Sequence, residues 1–305
     1  MLEEQRKLLL TVEKILKSLN FRLSKYRNLC FDIAAVRKSV TVGFSTLLIK
    51  VLSNIDSFSI SQAENLKRIS SALSCFACIV GIKTRYEKLR DNLIYNRFDI
   101  PAFTPKTLHS LLRLNPPKII RSRGGLFAEI DPVKLRRARI LNNLSQRELA
   151  ELAGTTKKNI YEHERFRKRA KMELIERLEN ILGMDVKSEP DFSIDYFPRN
   201  EKHTPKFTRI IMHYFRKLGF ETTHVSCAPF DIIAIEKVQV LSCVETSGKS
   251  LEKKCTELKT FSATVEKPAF ILARKKSITD TDLPVVRIDE LRECSSVRDL
   301  LRLVT

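Results

Sequence analysis

Tryptophan is absent from the 305 residues, and glycine is scarce at eight. Gly-rich phosphate cradles therefore have little to be built from. No P-loop, dinucleotide fingerprint or nucleophile elbow occurs, so no cofactor is expected. Long apolar runs are missing too. No stretch approaches the ~18 apolar residues that span a bilayer. The opening MLEEQRKLLLTVEKILKSL carries charges throughout, which fits an amphipathic helix and not a signal peptide. The expectation is a cytoplasmic protein with no membrane partner. Cysteine is present but dispersed: of seven, only Cys75 and Cys78 form a C-x-x-C, with no second Cys or His pair at zinc-site spacing. Buried free thiols in a reducing compartment fit better than a metal or redox site, and no metal ligands are assigned.

Acidic residues are in deficit, 36 against 55 Lys and Arg, a formal charge of +19. Such a balance favours a polyanionic partner, most simply nucleic acid, although dispersed cations also serve solubility. Thirteen basic and seven acidic residues lie between Pro132 and Leu182, so most of the excess sits on the flanks of that stretch.

The stretch SQRELAELAGTTKKNIYEHE, Ser145 to Glu164, organises the rest. Ser145 with Glu148 three residues on is a capping box, in which each side chain satisfies a free amide of a first helical turn. Gly154 supplies turn geometry that a residue with a Cβ resists, and a second helix begins near Thr156. Leu149, Ala150, Ala153 and Ile160 fall where two crossing helices bury side chains, the alanines permitting close approach. Pro132 suits a first helical turn. Leu135, Ala138, Ile140 and Leu141 give the preceding helix an apolar stripe. Leu174, Leu178, Ile181 and Leu182 recur at helical spacing before a closing Gly183. A helical hairpin with a solvated basic face is the bland alternative. The pattern resembles the phage-repressor (Cro-type) helix-turn-helix domain, expected here as a five-helix unit over 131–186.

That resemblance implies that the second helix of the pair lies in the major groove of double-stranded DNA. The DNA-facing set would be Ser145, Gln146, Arg147, Thr156, Lys157, Lys158, Asn159, Tyr161 and Glu162. Asn and Gln can pair bidentately with adenine, and Lys with guanine or phosphate. Arg136 and Arg139 would contact phosphates. Tyr161 and His163 are bulky for such a face and could pack instead of reading.

The two ends of the chain repeat. Leu19-Asn20-Phe21 recurs as Leu218-Gly219-Phe220, and at the same offset Phe31-Asp32-Ile33 recurs as Phe230-Asp231-Ile232. After a shift, Leu66-Lys67 answers Leu258-Lys259, and Ile100-Pro101 answers Leu283-Pro284. Helices precede both tripeptides, with Asn20 and Gly219 placed for left-handed helix ends. Two related α/β domains are expected, at 1–113 and 203–305, with linkers at 114–130 and 187–202. Arg121-Ser122-Arg123-Gly124-Gly125 reads as flexible, with an Arg pair that could reach phosphate.

A helix, a strand ending in an Asp, then a hairpin strand and a helix resembles the restriction-endonuclease-like fold, including archaeal Holliday-junction resolvases. There, a strand Asp and a Glu-x-Lys hold a divalent metal, and a helix Glu can join them. Asp32 and Glu13 could fill two places. The Glu-x-Lys is absent, because Leu47-Leu48-Ile49-Lys50-Val51-Leu52 offers Lys50 without its carboxylate, and Glu245 after Asp231 lacks its Lys. Hard divalent ions want several oxygen ligands, so Asp32 and Asp231 are read as structural, a relic DNA-facing surface being the alternative, with no catalytic residues assigned. Through FDIAAVR, LLIKVLSNID, ENLKRISSAL and RSRGGLFAEIDPVKLRRAR, the whole chain resembles archaeal helix-turn-helix transcriptional regulators of about this length.

The expected fold is thus mixed: a central all-α helix-turn-helix domain flanked by two related α/β, restriction-endonuclease-like domains. The expected function is a non-enzymatic, sequence-specific DNA-binding regulator. A homodimer is expected, because one such helix reads few base pairs; internal pairing of the two copies is the alternative. The rival function is a metal-dependent structure-specific nuclease or junction-binding protein.

Overall fold

The chain, a computed structural model, is described at residues 2–38, 43–192, 204–245, 250–274 and 281–304. The first α/β unit runs α1 (Leu2–Ser18), β1 (Arg22–Lys25), β2 (Ile33–Val36), β3 (Thr46–Asn54), α2 (Ile60–Leu73), β4 (Phe76–Lys83), β5 (Leu93–Arg97), β6 (Ile100–Phe103) and α3 (Pro105–Leu112). A hairpin follows, β7 (Ile119–Ser122) and β8 (Gly125–Ile130), and then α4 (Pro132–Leu141), α5 (Gln146–Leu152), α6 (Lys157–Arg165), β9 (Lys168–Lys171) and α7 (Met172–Leu182). The second unit comprises α8 (Lys206–Lys217), β10 (Glu221–His224), β11 (Ile232–Ile235), β12 (Gln239–Val244), α9 (Ser250–Val265), β13 (Ala269–Ala273), β14 (Val285–Arg287), α10 (Ile288–Glu293) and α11 (Val297–Val304).

The fold is mixed α/β, with eleven α-helices and two sheets among the described residues. The second sheet, in the order β10-β11-β12-β13-β14, is antiparallel in its first two pairings and parallel in its last two. The series β1-β2-β3-β4-β6 pairs in the same sequence of directions. Asn20 (φ 60°) and Gly219 (φ 96°) both take the left-handed region after α1 and α8. Among the described residues, no helix is long and apolar enough to cross a membrane.

Two expectations need correcting. Residues 114–130 are not a flexible linker. β5 receives β7 in parallel, and β8 then β9 extend the first sheet to nine strands, so the helical unit is joined to the first α/β unit by backbone hydrogen bonds. Gly124 (φ 94°) and Gly125 (φ 133°) break helix, as expected, but they do so by turning a hairpin. The central unit has four helices and a strand instead of five helices. Of the expected 187–202 linker, 193–202 lie outside the described residues. The part before them is tied down: Ser188 N donates to Glu129 O (2.8 Å), and Phe192 packs on Phe76 and Phe103.

The central strands of each α/β unit bury both faces. Leu8, Val12 and Leu16 of α1, with Leu108 and Leu111 of α3, cover the outer face of the first sheet; Ile211, Phe215, Leu291 and Leu300 cover that of the second. The inner faces meet in one shared core. There Leu66 of α2 and Leu258 of α9 lie with Tyr26, Phe31, Phe230 and Phe261, the Phe31 and Phe261 rings 5.6 Å apart. The seam is also hydrogen-bonded: Cys30 N to Cys227 O (2.9 Å), Ser226 N to Asn65 Oδ1 (2.7 Å) and Gln239 Nε2 to Ala72 O (2.9 Å). The two units therefore pair within one chain. The C-x-x-C is not a chelating pair. Cys75 and Cys78 are both buried and point to opposite faces of the sheet, and burial pushes the Cys75 thiol up to about 12.

Candidate nucleic-acid interface

The helix pair is built as its local sequence dictates. Ser145 caps α5 reciprocally with Glu148: Ser145 N donates to Glu148 Oε2 (2.7 Å), and Glu148 N to Ser145 Oγ (3.2 Å). At the other end, Thr155 N donates to Ala150 O (2.9 Å) and Gly154 N to Glu151 O (3.2 Å), the doubly bonded close of a Schellman motif. Gly154 sits at φ 63°. A Cβ there would meet only the movable guanidinium of Arg177, so backbone conformation is what demands glycine. Thr156 then caps α6, its Oγ1 accepting from Asn159 N (3.1 Å).

Leu149, Ala150, Ala153 and Ile160 are buried, with Leu135, Ala138, Ile175, Leu178 and Leu182 around them. Ala128, Ile130 and Ala170 of the sheet complete this core. The expected α4 stripe is only half right. Leu135 and Ala138 are buried, whereas Ile140 and Leu141 are 54% and 61% exposed. The chain turns away after Leu141 and leaves α4 just two inward positions.

The expected DNA-facing residues fall into two groups. Lys157, Lys158 and Tyr161 project from α6 into solvent, and neither lysine has an ion-pair partner among the described residues. Tyr161 Oη accepts from Arg165 Nη1 (2.7 Å). Glu162 is ion-paired to Lys168 (2.7 Å), which holds its carboxyl below the usual range. Arg147 is exposed and paired with Glu151 one turn on (2.9 Å).

The second group is partly spent on structure. Asn159 Nδ2 donates to Thr155 Oγ1 (2.9 Å), leaving one amide hydrogen and Oδ1 free to address a base. Gln146 Nε2 donates to Glu164 Oε2 (2.8 Å). Glu164 in turn holds Arg139 through two nitrogens (2.5 and 3.0 Å), while Arg139 Nη1 donates to Leu144 O (2.8 Å). Arg139 is thus a strut between α4 and α6 and not a phosphate contact; Arg136 is exposed. His163 is packed in this core, and burial lowers its pKa.

Sequence reasoning did not single out the run after α6. Arg165, Arg167, Lys168 and Arg169 are exposed around Phe166, which is itself 49% exposed, with the Arg165 guanidinium 5.3 Å from the Phe166 ring centre. The signal was present as five cations in seven residues, 165 to 171. Glu129 takes up part of that charge through Arg167 (2.6 Å) and Arg169 (3.4 Å).

The nuclease-like position lies at the seam between the α/β units. Asp32 Oδ1 accepts from Lys50 Nζ (3.0 Å) and Oδ2 from Val51 N (2.8 Å), and Lys50 also donates to Leu29 O (2.8 Å). Asp32 is 9% and Lys50 5% exposed; burial raises the Asp32 carboxyl against the pull of Lys50. Two residues before Lys50, where a Glu-x-Lys would place its carboxylate, stands the buried Leu48. Glu13 does not join Asp32, since Lys17 (2.8 Å) and Lys25 (3.0 Å) hold it. Asp231 is engaged likewise, by Val244 N (2.8 Å) and by Lys254 Nζ (2.5 Å) of α9. These donors do not fit a hard divalent ion, which requires several free oxygens. Among the described residues no group of three His, Cys, Asp or Glu could hold a metal.

A capped helix pair with a cationic second helix, mounted on an α/β scaffold, defines a protein of the DNA-binding helix-turn-helix class. Residues 135–187 match the helix-turn-helix family, and residues 5–117 match the PD-(D/E)XK superfamily domain. Over 317 residues the chain is 30% identical to a Pyrococcus horikoshii protein, covering 99% of this chain and 98% of that one. It is 29% identical to one from Pyrococcus furiosus (99% and 98%) and 28% to one from Methanocaldococcus jannaschii (94% and 92%). All three carry the name "Putative HTH-type transcriptional regulatory protein". No solved structure matches the chain. The chain belongs to this archaeal family of helix-turn-helix-type transcriptional regulatory proteins.

Proposed function

We propose that the protein is a sequence-specific regulator of transcription that reads the major groove with α6 and cleaves nothing. The observation that carries this reading is the pair of exposed cations Lys157 and Lys158, neither in a direct ion pair among the described residues, on an α6 start fixed by the Gly154 turn and the Thr156 cap. Fixed geometry is what turns a basic helix into a reader, because base discrimination requires side chains held in register with base edges. Lys158 and Asn159 supply base contacts; Arg147, Lys157 and the exposed cations after α6 supply phosphate contacts. Two chains on a palindromic site, with half-sites about one DNA turn (~34 Å) apart, give the selectivity that one helix lacks. Footprinting on genomic fragments tests this: the expected result is a protected palindrome, and Lys158→Gln should relax preference at particular bases. Equal weakening on every sequence would place the reading face elsewhere.

The superfamily match over 5–117 favours one rival, a metal-dependent nuclease. The saturation of Asp32 by Lys50 and Val51, with Leu48 in place of a carboxylate, argues for a scaffold that has left that chemistry. The second unit is proposed to be a duplicate of the first, kept as its internal partner. Incubating branched and linear DNA with magnesium or manganese decides; cleavage abolished by Asp32→Asn would overturn the scaffold reading.

A further inference from the structure

The two α/β units differ in one respect that their shared topology does not require. In the first unit, acids stand among the cations of α1: Glu3 pairs with Lys7 (2.8 Å), Glu13 with Lys17 (2.8 Å) and Glu4 with Lys83 of β4 (3.5 Å), which leaves Arg6 and Lys14 as its unpaired cations among the described residues. The corresponding helix of the second unit, α8, reads KFTRIIMHYFRK and has no acidic residue. Lys206, Arg209, His213 and Lys217 recur three to four residues apart along one exposed face, with Arg216 beside Lys217. At 1.5 Å per residue, that row spans roughly 16 Å, against one phosphate per about 3.4 Å of duplex axis on each strand.

These charges are largely unspent. Lys206, Arg209 and Lys217 have no carboxylate partner among the described residues. Lys217 Nζ lies 5.8 Å from the Tyr214 ring centre, and Arg274 at the end of β13 stacks on Phe207 at 4.0 Å, adding a cation beside the row. Arg216 Nε donates to Thr222 Oγ1 (3.0 Å). Two of the three acids of neighbouring α10 have partners of their own, Asp289 with Arg292 (3.3 Å) and Glu290 with Arg287 (2.8 Å), while Glu293 is exposed.

We propose that α8 is a second DNA-contacting surface, one that grips the phosphate backbone of duplex DNA without reading sequence. This rests on DNA being the partner of α6, as proposed above. A lipid surface fits less well. The apolar side of α8, Ile211, Met212 and Phe215, is already buried in its own unit, which leaves Ile210 as the exposed aliphatic side chain of the helix. Rows of cations with aromatic flanks and no apolar face to insert suit a polyanion that stays in water.

The test measures affinity of the full chain for a footprinted duplex and for a random duplex across a salt series. Lys206→Gln, Arg209→Gln and Lys217→Gln combined should weaken both duplexes alike and reduce the log–log salt slope by about 0.9 per lost phosphate contact. The three positions are exposed, so circular dichroism and melting should match wild type. If the combined variant melts non-cooperatively, Arg209→Gln and Lys217→Gln singly carry the same test. A wild-type slope in these variants overturns the proposal. So does loss of binding to phosphatidylserine vesicles with duplex binding intact, which would assign α8 to a lipid surface. The two readings fail separately: Lys158→Gln reports on sequence preference, and the α8 variants report on slope at constant preference.

Discussion

At the scale of single residues, the central unit is held by polar groups that look from the sequence like DNA contacts. Gln146, Arg139 and Glu164 are 18 and 25 positions apart in hydrogen-bonded pairs, which no local spacing rule reveals. The capping box and the Gly154 turn were legible because their partners lie within five residues. Arg139→Ala should cost roughly 1.5–3 kcal/mol, because Glu164 would be left without its charged hydrogen-bond donor in a partly buried site. Arg139→Met with Glu164→Leu should recover much of that loss, and the salt slope of DNA binding should not change. Thermal melts and a salt series check both halves. His163 adds a pH dependence. Its folded pKa lies below the ordinary ~6.5, so on acidification the unfolded chain takes up a proton that the folded chain refuses. Stability from this group is whole above about pH 6.5 and falls as pH drops towards the folded pKa. His163→Leu should flatten the part of the melting-temperature profile that lies between them; an unchanged profile would show that another group titrates.

At the scale of elements, helices and strand pairs were legible where they bury alternating or helical stripes, and illegible where a segment's partner is remote. Pro116-Pro117 and Gly124-Gly125 exclude helix, but whether such a stretch dangles or adds to a sheet depends on β5, more than twenty residues earlier. Ile140 and Leu141 fit the stripe by spacing, yet α4 ends at Leu141 and both stay more than half exposed. The hairpin has an energetic consequence. Ala128, Ile130 and Val186 belong to the helical core, and β9 pairs with β8. A fragment spanning 131–186 should therefore melt earlier and less cooperatively than one spanning 118–189, which keeps both β8 and the Lys118 pairs with Asp185 and Glu189 (2.9 Å each). Burying Ile130 alone is worth roughly 1.5–3 kcal/mol. Equal melting temperatures would mean that the hairpin is only an attachment.

At the scale of the molecule, the repeat in the sequence becomes an internal dimer. The repeated tripeptides announced two similar units, but not that their inner faces would close on each other over Asp32, the first unit's nuclease-like position. Lys50 and Asp32 sit at that seam, both below 10% exposed, so they carry a structural duty that can be measured. Lys50→Ala leaves a buried carboxylate with a single amide donor, which should destabilise the fold by about 3–5 kcal/mol. Lys50→Met combined with Asp32→Asn removes both charges and keeps an acceptor for Val51 N, and should regain most of that stability. Neither change should alter which DNA sequence α6 prefers, since the seam and the reader are joined through the sheet and share no side chain. If instead the doubly neutral variant folds as stably as wild type but loses sequence preference, the seam would be a device that sets the pose of the reader and not only a closure. Melting and competitive binding on the same samples separate those outcomes.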